Sequence, residues 1–343
     1  MIVVHGSYFA NNFGDTLLVK IVCDELASIV GREKIFLAIP GDRAEQKSIG
    51  YPVIPKRMEK DVTHVVYAGG GYFGEPSGNV VMKTRWSLRN YYRHIAWLKK
   101  FPDAEVGIFG VGYGPISIKW FRRNVSKVIS RARFVYFRDD ESIAYYKEYG
   151  GEKFVNKCVD FALGINRNHI ARTKDVIGVH LPGLGEPALE SALRPLRDHI
   201  INKEVDVIFD NPISNFEAVS NRIASALRTI GAAKVTIRPY VDFESLIGLL
   251  TGYEYVITNK LHVGIVTIAL GGKVLSIPTH NKTQRLYRQL GLQDYCIPVD
   301  EMNDEALLRA VKSLDKFNPD EDVIEAGLAG LRGGLRDFVL GCE

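Results

Sequence analysis

Short apolar runs separated by longer amphipathic stretches set the architecture of this chain. Five runs occupy the front, at residues 2–4, 35–39, 62–67, 106–109 and 134–137. Five more follow at 176–181, 205–209, 235–237, 255–258 and 274–277. Between them, segments such as 16–30 and 88–101 carry apolar residues at helical spacing. A run without polar alternation is a strand covered on both faces, which requires a parallel sheet with helices on each side. The βαβα order therefore predicts the α/β class. Two series of five strands predict two Rossmann-like domains, 1–168 and 169–343, joined near 164–173, where Gly164, Asn166 and Asn168 interrupt the pattern. From Pro319 onward the sequence reads as a helix broken by Gly327, Gly330, Gly333 and Gly334, able to cross back to the first domain.

A length of 343 residues suits two domains with cores of their own. With 46% hydrophobic and 24% charged residues, the composition excludes a disordered chain or a coiled coil. The longest uncharged runs, 1–14 and 106–118, are too short for a membrane span. The first lysine is Lys20, so the start does not read as a secretory leader. Cys23, Cys158, Cys296 and Cys342 are scattered, which predicts reduced thiols and a cytoplasmic protein, with no disulfide framework and no metal site. The net charge of +4 is uneven. Residues 1–170 hold 25 Lys+Arg against 17 Asp+Glu (+8), and residues 171–343 hold 19 against 23 (−4). A basic front half points to an anionic partner or substrate.

Open parallel sheets bind ligands beyond the carboxyl ends of their strands, so the residues after each strand matter most. The first strand leads through His5-Gly6 to Asn11-Asn12-Phe13-Gly14-Asp15, which opens a helix. The third is expected to end in the turn Gly69-Gly70-Gly71, and the fourth in Gly110-Val111-Gly112-Tyr113-Gly114-Pro115. Glycine lets backbone N–H groups approach a ligand, and a helix N-terminus favours an anion. None of these turns is a Walker sequence, and the first βα turn lacks G-x-G-x-x-G spacing, so ATP or NAD binding is not supported. Tight strand-to-helix turns are the plainer alternative.

In Arg138-Asp139-Asp140-Glu141-Ser142, the carboxylates suit a helix N-terminus, whereas Arg138 suits a carboxylate or phosphate, or an ion pair with a capping aspartate. In Thr258-Asn259-Lys260-Leu261-His262, a buried strand delivers a cation and an imidazole to a helix start, with Leu261 turned into packing. A bound anion there favours the protonated imidazole, making His262 a candidate acid or base. The alternative is a histidine that satisfies a backbone group. Lys282, one strand later, is a second cation at a helix start.

Two front-half segments carry no acids. Residues 83–100 hold Lys83, Arg85, Arg89, Arg93, Lys99 and Lys100 with Trp86, Tyr91, Tyr92 and Trp97; residues 119–133 hold six more basic residues with Trp120 and Phe121. Such helices either rest on an anionic membrane or are merely solvated. Nucleic acid is disfavoured, because no recognised module is present and the second half is acidic.

These motifs, in this order, resemble the polysaccharide pyruvyl transferase family. The resemblance rests on Asn12-Phe13-Gly14-Asp15, Gly69-Gly70-Gly71, Gly112-x-Gly114-Pro115, Arg138-Asp139-x-x-Ser142, Asp160, Lys260-Leu261-His262, and Gly271-Gly272-Lys273-Val274 leading to Lys282. It implies a glycosyltransferase-B-like arrangement of two domains. It also implies transfer of the pyruvate skeleton of phosphoenolpyruvate onto two sugar hydroxyls, giving a cyclic ketal in a polysaccharide or lipid-linked precursor. By resemblance, phosphoenolpyruvate is a co-substrate and no other cofactor is needed. Arg138, Lys260, Leu261 and Lys282 would bind the donor, and His262 would be catalytic. The acceptor cleft would hold Asn12, Gly14, Asp15, Gly70, Gly71, Gly112 and Gly114. Lys260 stands where the family usually has arginine. The location expected is cytoplasmic, at most peripheral on the inner face of the membrane. A nucleotide-sugar glycosyltransferase of the same fold, or a relative that binds sugar or phosphate without catalysis, is the alternative.

Overall fold

The computed structural model describes residues 1–9, 12–41, 43–165 and 176–341. The chain groups into two compact units, Met1–Phe161 with Ile324–Glu343, and Ala162–Val323. The join expected at 168/169 falls within 166–175, outside the described residues.

The first unit holds six strands: β1 (Ile2–His5), β2 (Ile35–Leu37), β3 (His64–Phe73), β4 (Glu105–Tyr113), β5 (Ala132–Phe137) and β6 (Asn156–Lys157). They pair in the order β2-β1-β3-β4-β5-β6, all parallel. The second unit holds β7 (Val176–His180), β8 (Glu204–Ile208), β9 (Lys234–Arg238), β10 (Tyr255–Thr258) and β11 (Lys273–Ser276). Their order is β11-β10-β7-β8-β9, again parallel. Every apolar run of the sequence became a strand, and the fold is α/β with two Rossmann-like sheets. Every residue of β1, β2 and β10 is buried, as helices on both faces demand. The two-residue β6 is too short and polar to signal itself in sequence.

Both strand orders reverse direction at one place, between β1 and β3 in the first sheet and between β7 and β10 in the second. At such a reversal the following helices leave on opposite faces and open a crevice at the carboxyl edge.

Three expectations are corrected. The glycine-rich segments after the third and fourth runs are strand, not turn: β3 runs through Gly69, Gly70 and Gly71, and β4 through Gly110 and Gly112. The register shifts between Gly70 and Phe73 and again between Phe109 and Val111, so the glycines make bulges that bend the strands without ending them. The basic segment 83–100 is not one helix. It is a helix at Val80–Asn90, a π turn at Tyr91–Ile95 and a 3-10 helix at Ala96–Lys100. The irregular path places both the His94 and the Trp97 rings against His5, with ring centroids 5.1 and 4.4 Å away. Finally, Glu321–Leu340 is an unbroken helix despite its glycines. A Cβ on Gly327 would sit 2.6 Å from Val159, and one on Gly334 2.6 Å from the Tyr136 ring, so two of the glycines permit close packing in the first unit. Among the described residues, no helix is long and apolar enough to cross a membrane.

Candidate functional site

In the first unit, the residues after β1 and along β3 converge. Asn12 caps the helix Phe13–Val30, its side-chain oxygen accepting from the Gly14 N–H at 3.1 Å. Asp15 lies in the first turn, and its Oδ1 is 3.4 Å from where a Cβ on Gly70 would stand. Gly70 has φ of +98°, a conformation that disfavours any side chain. Behind this edge, His5 at the end of β1 contacts His94, Nε2 to Nδ1 2.9 Å. Both imidazoles are buried, His5 against the rings of Tyr8, Tyr67, Tyr72 and Trp97, and His94 stacked on Tyr72. Burial, reinforced by His94, holds His5 well below the ordinary histidine value; burial and the nearby Arg93 and Arg89 charges bring His94 down to about 3.

Arg138, just past β5, is buried. Its Nη1 lies 3.3 Å from Asp160 Oδ2 and its Nε 3.7 Å from Asp139 Oδ2. Asp139 also caps the helix Asp140–Glu148 through the Ser142 N–H at 2.7 Å, so the capping and ion-pair readings both describe it. A Cβ on Gly112 would press on the guanidinium at 3.0 Å; glycine there makes room for Arg138. The Nη2 corner lies 3.7 Å from the Cβ position of Gly71, an exposed residue at the carboxyl end of β3. Gly114 has φ of +69° and packs on Tyr145, where a Cβ would be 2.7 Å from the ring.

In the second unit, the reversal between β7 and β10 gathers charge. His180 ends β7 and is fully buried. Its Nε2 lies 3.2 Å from Asp210 Oδ1, and its Nδ1 3.2 Å from Thr258 Oγ1 at the end of β10. The other Asp210 oxygen lies 3.9 Å from Lys260 Nζ, and Thr258 Oγ1 accepts from the Lys260 backbone N–H at 3.0 Å. With its amide turned to satisfy both neighbours, Asn259 ties the same edge, donating to the His180 carbonyl at 3.1 Å and accepting from the Gly183 N–H at 3.2 Å. Burial alone would raise the Asp210 carboxyl; His180 and then Lys260 outweigh it and bring it down to about 2. Asp210 is therefore a buried carboxylate at neutral pH. It lies beside the ammonium of Lys260, whose side chain remains 43% exposed.

Lys260 caps the helix Leu261–Ala269, in which Leu261 is buried and His262, half-buried, is the second residue. Lys282 is the second residue of the helix Asn281–Gln289, which follows β11, and His280 is its cap. Burial, then the charges of Lys282 and Lys260, lowers His280. Two lysines thus act on one imidazole at the carboxyl edge of β10 and β11, an arrangement that suits a small anion.

The sequence model of the family described as polysaccharide pyruvyl transferase matches residues 12–281. The chain belongs to the polysaccharide pyruvyl transferase family. No curated protein matches its sequence. Among solved structures, the chain is similar to the UDP-GlcNAc 2-epimerase from Neisseria meningitidis bound to UDP-GlcNAc, with a TM-score of 0.59 and 11% identity over 99% of this chain and 100% of that one. It is similar also to the S. aureus MnaA–UDP structure, with a TM-score of 0.53 and 11% identity over 100% and 97% of the two chains. The UDP-GlcNAc 2-epimerase from Methanocaldococcus jannaschii gives 0.53 and 12% identity over 96% and 98%. At such identities the likeness shows the fold alone, which is glycosyltransferase-B-like.

Sequence reasoning missed His180 and Asp210. Their signal was present: each directly ends or follows a buried apolar run, the same position that drew attention to Lys260 and Lys282. What sequence order could not show is that the first strand of the second half lies beside the fourth.

Proposed function

We propose that this chain moves the pyruvate skeleton of phosphoenolpyruvate onto two hydroxyls of a sugar, forming a cyclic ketal and releasing phosphate. The observation that carries this reading is the second unit's carboxyl edge, where Lys260 follows β10 and His280 and Lys282 follow the adjacent β11, with Asp210 set between His180 and the Lys260 ammonium. Phosphoenolpyruvate has a carboxylate, a phosphate and no other polar group, so it needs cations and little else. Lys260 keeps the charge of the family's usual arginine but grips as a point, not as a fork.

In this proposal His262 gives a proton to the enol methylene, which becomes the methyl group. One sugar hydroxyl adds to the adjacent carbon, and His262 recovers a proton from that hydroxyl. Phosphate then leaves with the electron pair of its C–O bond, and the second hydroxyl closes the ketal, its proton departing with phosphate or solvent. The lysines stabilise the leaving phosphate. Arg138 contributes through the Nη2 corner beside Gly71, with Asp139 and Asp160 fixing the rest of the guanidinium. The acceptor rests against Asn12, Asp15 and the bulged glycines of the first unit.

The test is phosphate release from phosphoenolpyruvate in the presence of soluble and lipid-linked galactosides and mannosides. Release that depends on both partners is expected. Thermal stabilisation by UDP, with none from phosphoenolpyruvate and no phosphate released, would replace this reading with a nucleotide-sugar transferase.

A further inference from the structure

Nine large apolar residues are exposed among those described, and five of them fall within thirteen positions: Val80 (71%), Val81 (60%), Met82 (43%), Leu88 (49%) and Tyr92 (65%). Val81, Arg85, Leu88 and Tyr92 recur at i, i+4, i+7 and i+11, which places them in one stripe on the outward side of the helix Val80–Asn90 and its π turn. Cations border the stripe. Arg85 and Arg89 are exposed, and Arg89 stacks on Trp86 at 4.0 Å. Lys83 is tied to Glu75, whose side chain is only 1% exposed, so that carboxylate offers little charge to the surface.

The helix Lys119–Arg131 adjoins this segment through the Tyr91–Trp120 ring contact at 5.8 Å. It contains no acid, and its exposed Lys119, Arg123 and Lys127 recur every four residues. Both helices follow strands, β3 and β4, so their first turns lie at the sheet's carboxyl edge, on the same side as Asn12, Asp15 and Gly71.

We infer that this face docks on an anionic lipid bilayer, with Val81, Leu88 and Tyr92 in the headgroup boundary and the flanking Arg and Lys residues on lipid phosphates. The aliphatic centre of the patch has no use against nucleic acid, whose surface is phosphate and base edges. A basic, acid-free rim around an apolar stripe is the pattern an anionic interface selects. The inference relies on the pyruvyl-transfer reading only for its use, since docking brings a lipid-borne acceptor to the first unit. Vesicle binding itself requires neither phosphoenolpyruvate nor acceptor, so either idea can fail without the other.

The experiment is flotation of the full chain with phosphatidylcholine vesicles, with and without 30 mol%, roughly a third, of phosphatidylglycerol. Binding to the anionic vesicles alone, weakened by salt, is expected. Each basic residue near the surface is worth roughly fivefold in partitioning, so Arg85→Gln with Arg123→Gln should weaken binding about 25-fold. Val81→Ser with Leu88→Ser should remove the part that survives high salt. All four positions are exposed, so circular dichroism should show an intact fold in each variant. Absence of binding by the wild-type chain, or equal binding to neutral vesicles, would overturn the inference. So would a concentration-dependent dimer that Val81→Ser with Leu88→Ser abolishes, which would make the stripe a contact between copies of the chain.

Discussion

The carboxyl edges of the two sheets, built on the same βαβ logic, handle charge in opposite ways. In the first unit, His5 and His94 are buried beside the strand reversal with their pKa values held down, Asp15 stands at the reversal itself, and Arg138, past β5, is matched between Asp139 and Asp160. In the second, Asp210 stays ionised beneath a partly exposed Lys260, with His280 and Lys282 beside it. The first edge spends its arginine on holding itself together, while the second keeps lysines near solvent. The contrast supports the proposal that the acceptor rests on the first unit while most of the cations for an anionic donor come from the second.

The largest expected effect lies on the donor side. His262→Gln should lower phosphate release on the order of a hundred- to ten-thousand-fold with an unchanged circular dichroism spectrum. Near-normal turnover would take His262 out of the mechanism and weaken the donor assignment with it. Neutralising one cation on each edge tests the contrast directly. Arg138→Gln leaves two buried carboxylates without their guanidinium and should cost about 3–5 kcal/mol of stability, read from denaturant unfolding. Lys260→Gln should cost under about 1 kcal/mol, because its partner Asp210 keeps His180 and its own head group is partly hydrated. Its effect should instead appear in phosphate release. Equal stability losses in the two variants would erase the difference between the edges.

Acid should also separate the units. A histidine whose folded pKa is depressed takes up its proton only on unfolding, so stability falls as pH drops below the ordinary histidine value of about 6.5. His5 and His94 place that loss in the first unit, at up to about 1.4 kcal/mol per pH unit for each. Asp210, with its pKa lowered, contributes stability above the ordinary aspartate value and loses it only as pH falls from about 4 toward 2. Trp86, Trp97 and Trp120 all lie in the first unit, so tryptophan fluorescence should report a falling thermal midpoint between pH 7 and 5. A midpoint flat across that range would mean that the buried pair accepts protons while folded.

The smallest effects concern the last helix. Gly330 has open space around its missing Cβ, and Gly330→Ala should stabilise the chain by roughly 0.5–1 kcal/mol. Gly327→Ala drives a Cβ against buried Val159 and should destabilise it by about 1–3 kcal/mol, as differential calorimetry can show. Opposite signs at two glycines three residues apart would locate the packed face of this helix.

The sequence by itself determined the ten main strands, their parallel pairing and the α/β class, because a strand buried on both faces needs an unbroken apolar run and sequence states such runs outright. It also pointed to Lys260, His262 and Lys282, which stand at strand-to-helix junctions. Only the tertiary structure decided that glycines 69–71 bend a strand without ending it, since a bulge depends on the register of the neighbouring strand. It alone brought Asp210 and His180 under Lys260. Which strands lie side by side is set by the packing of whole helices across the sheet, and no local spacing between residues 180, 210 and 260 records it.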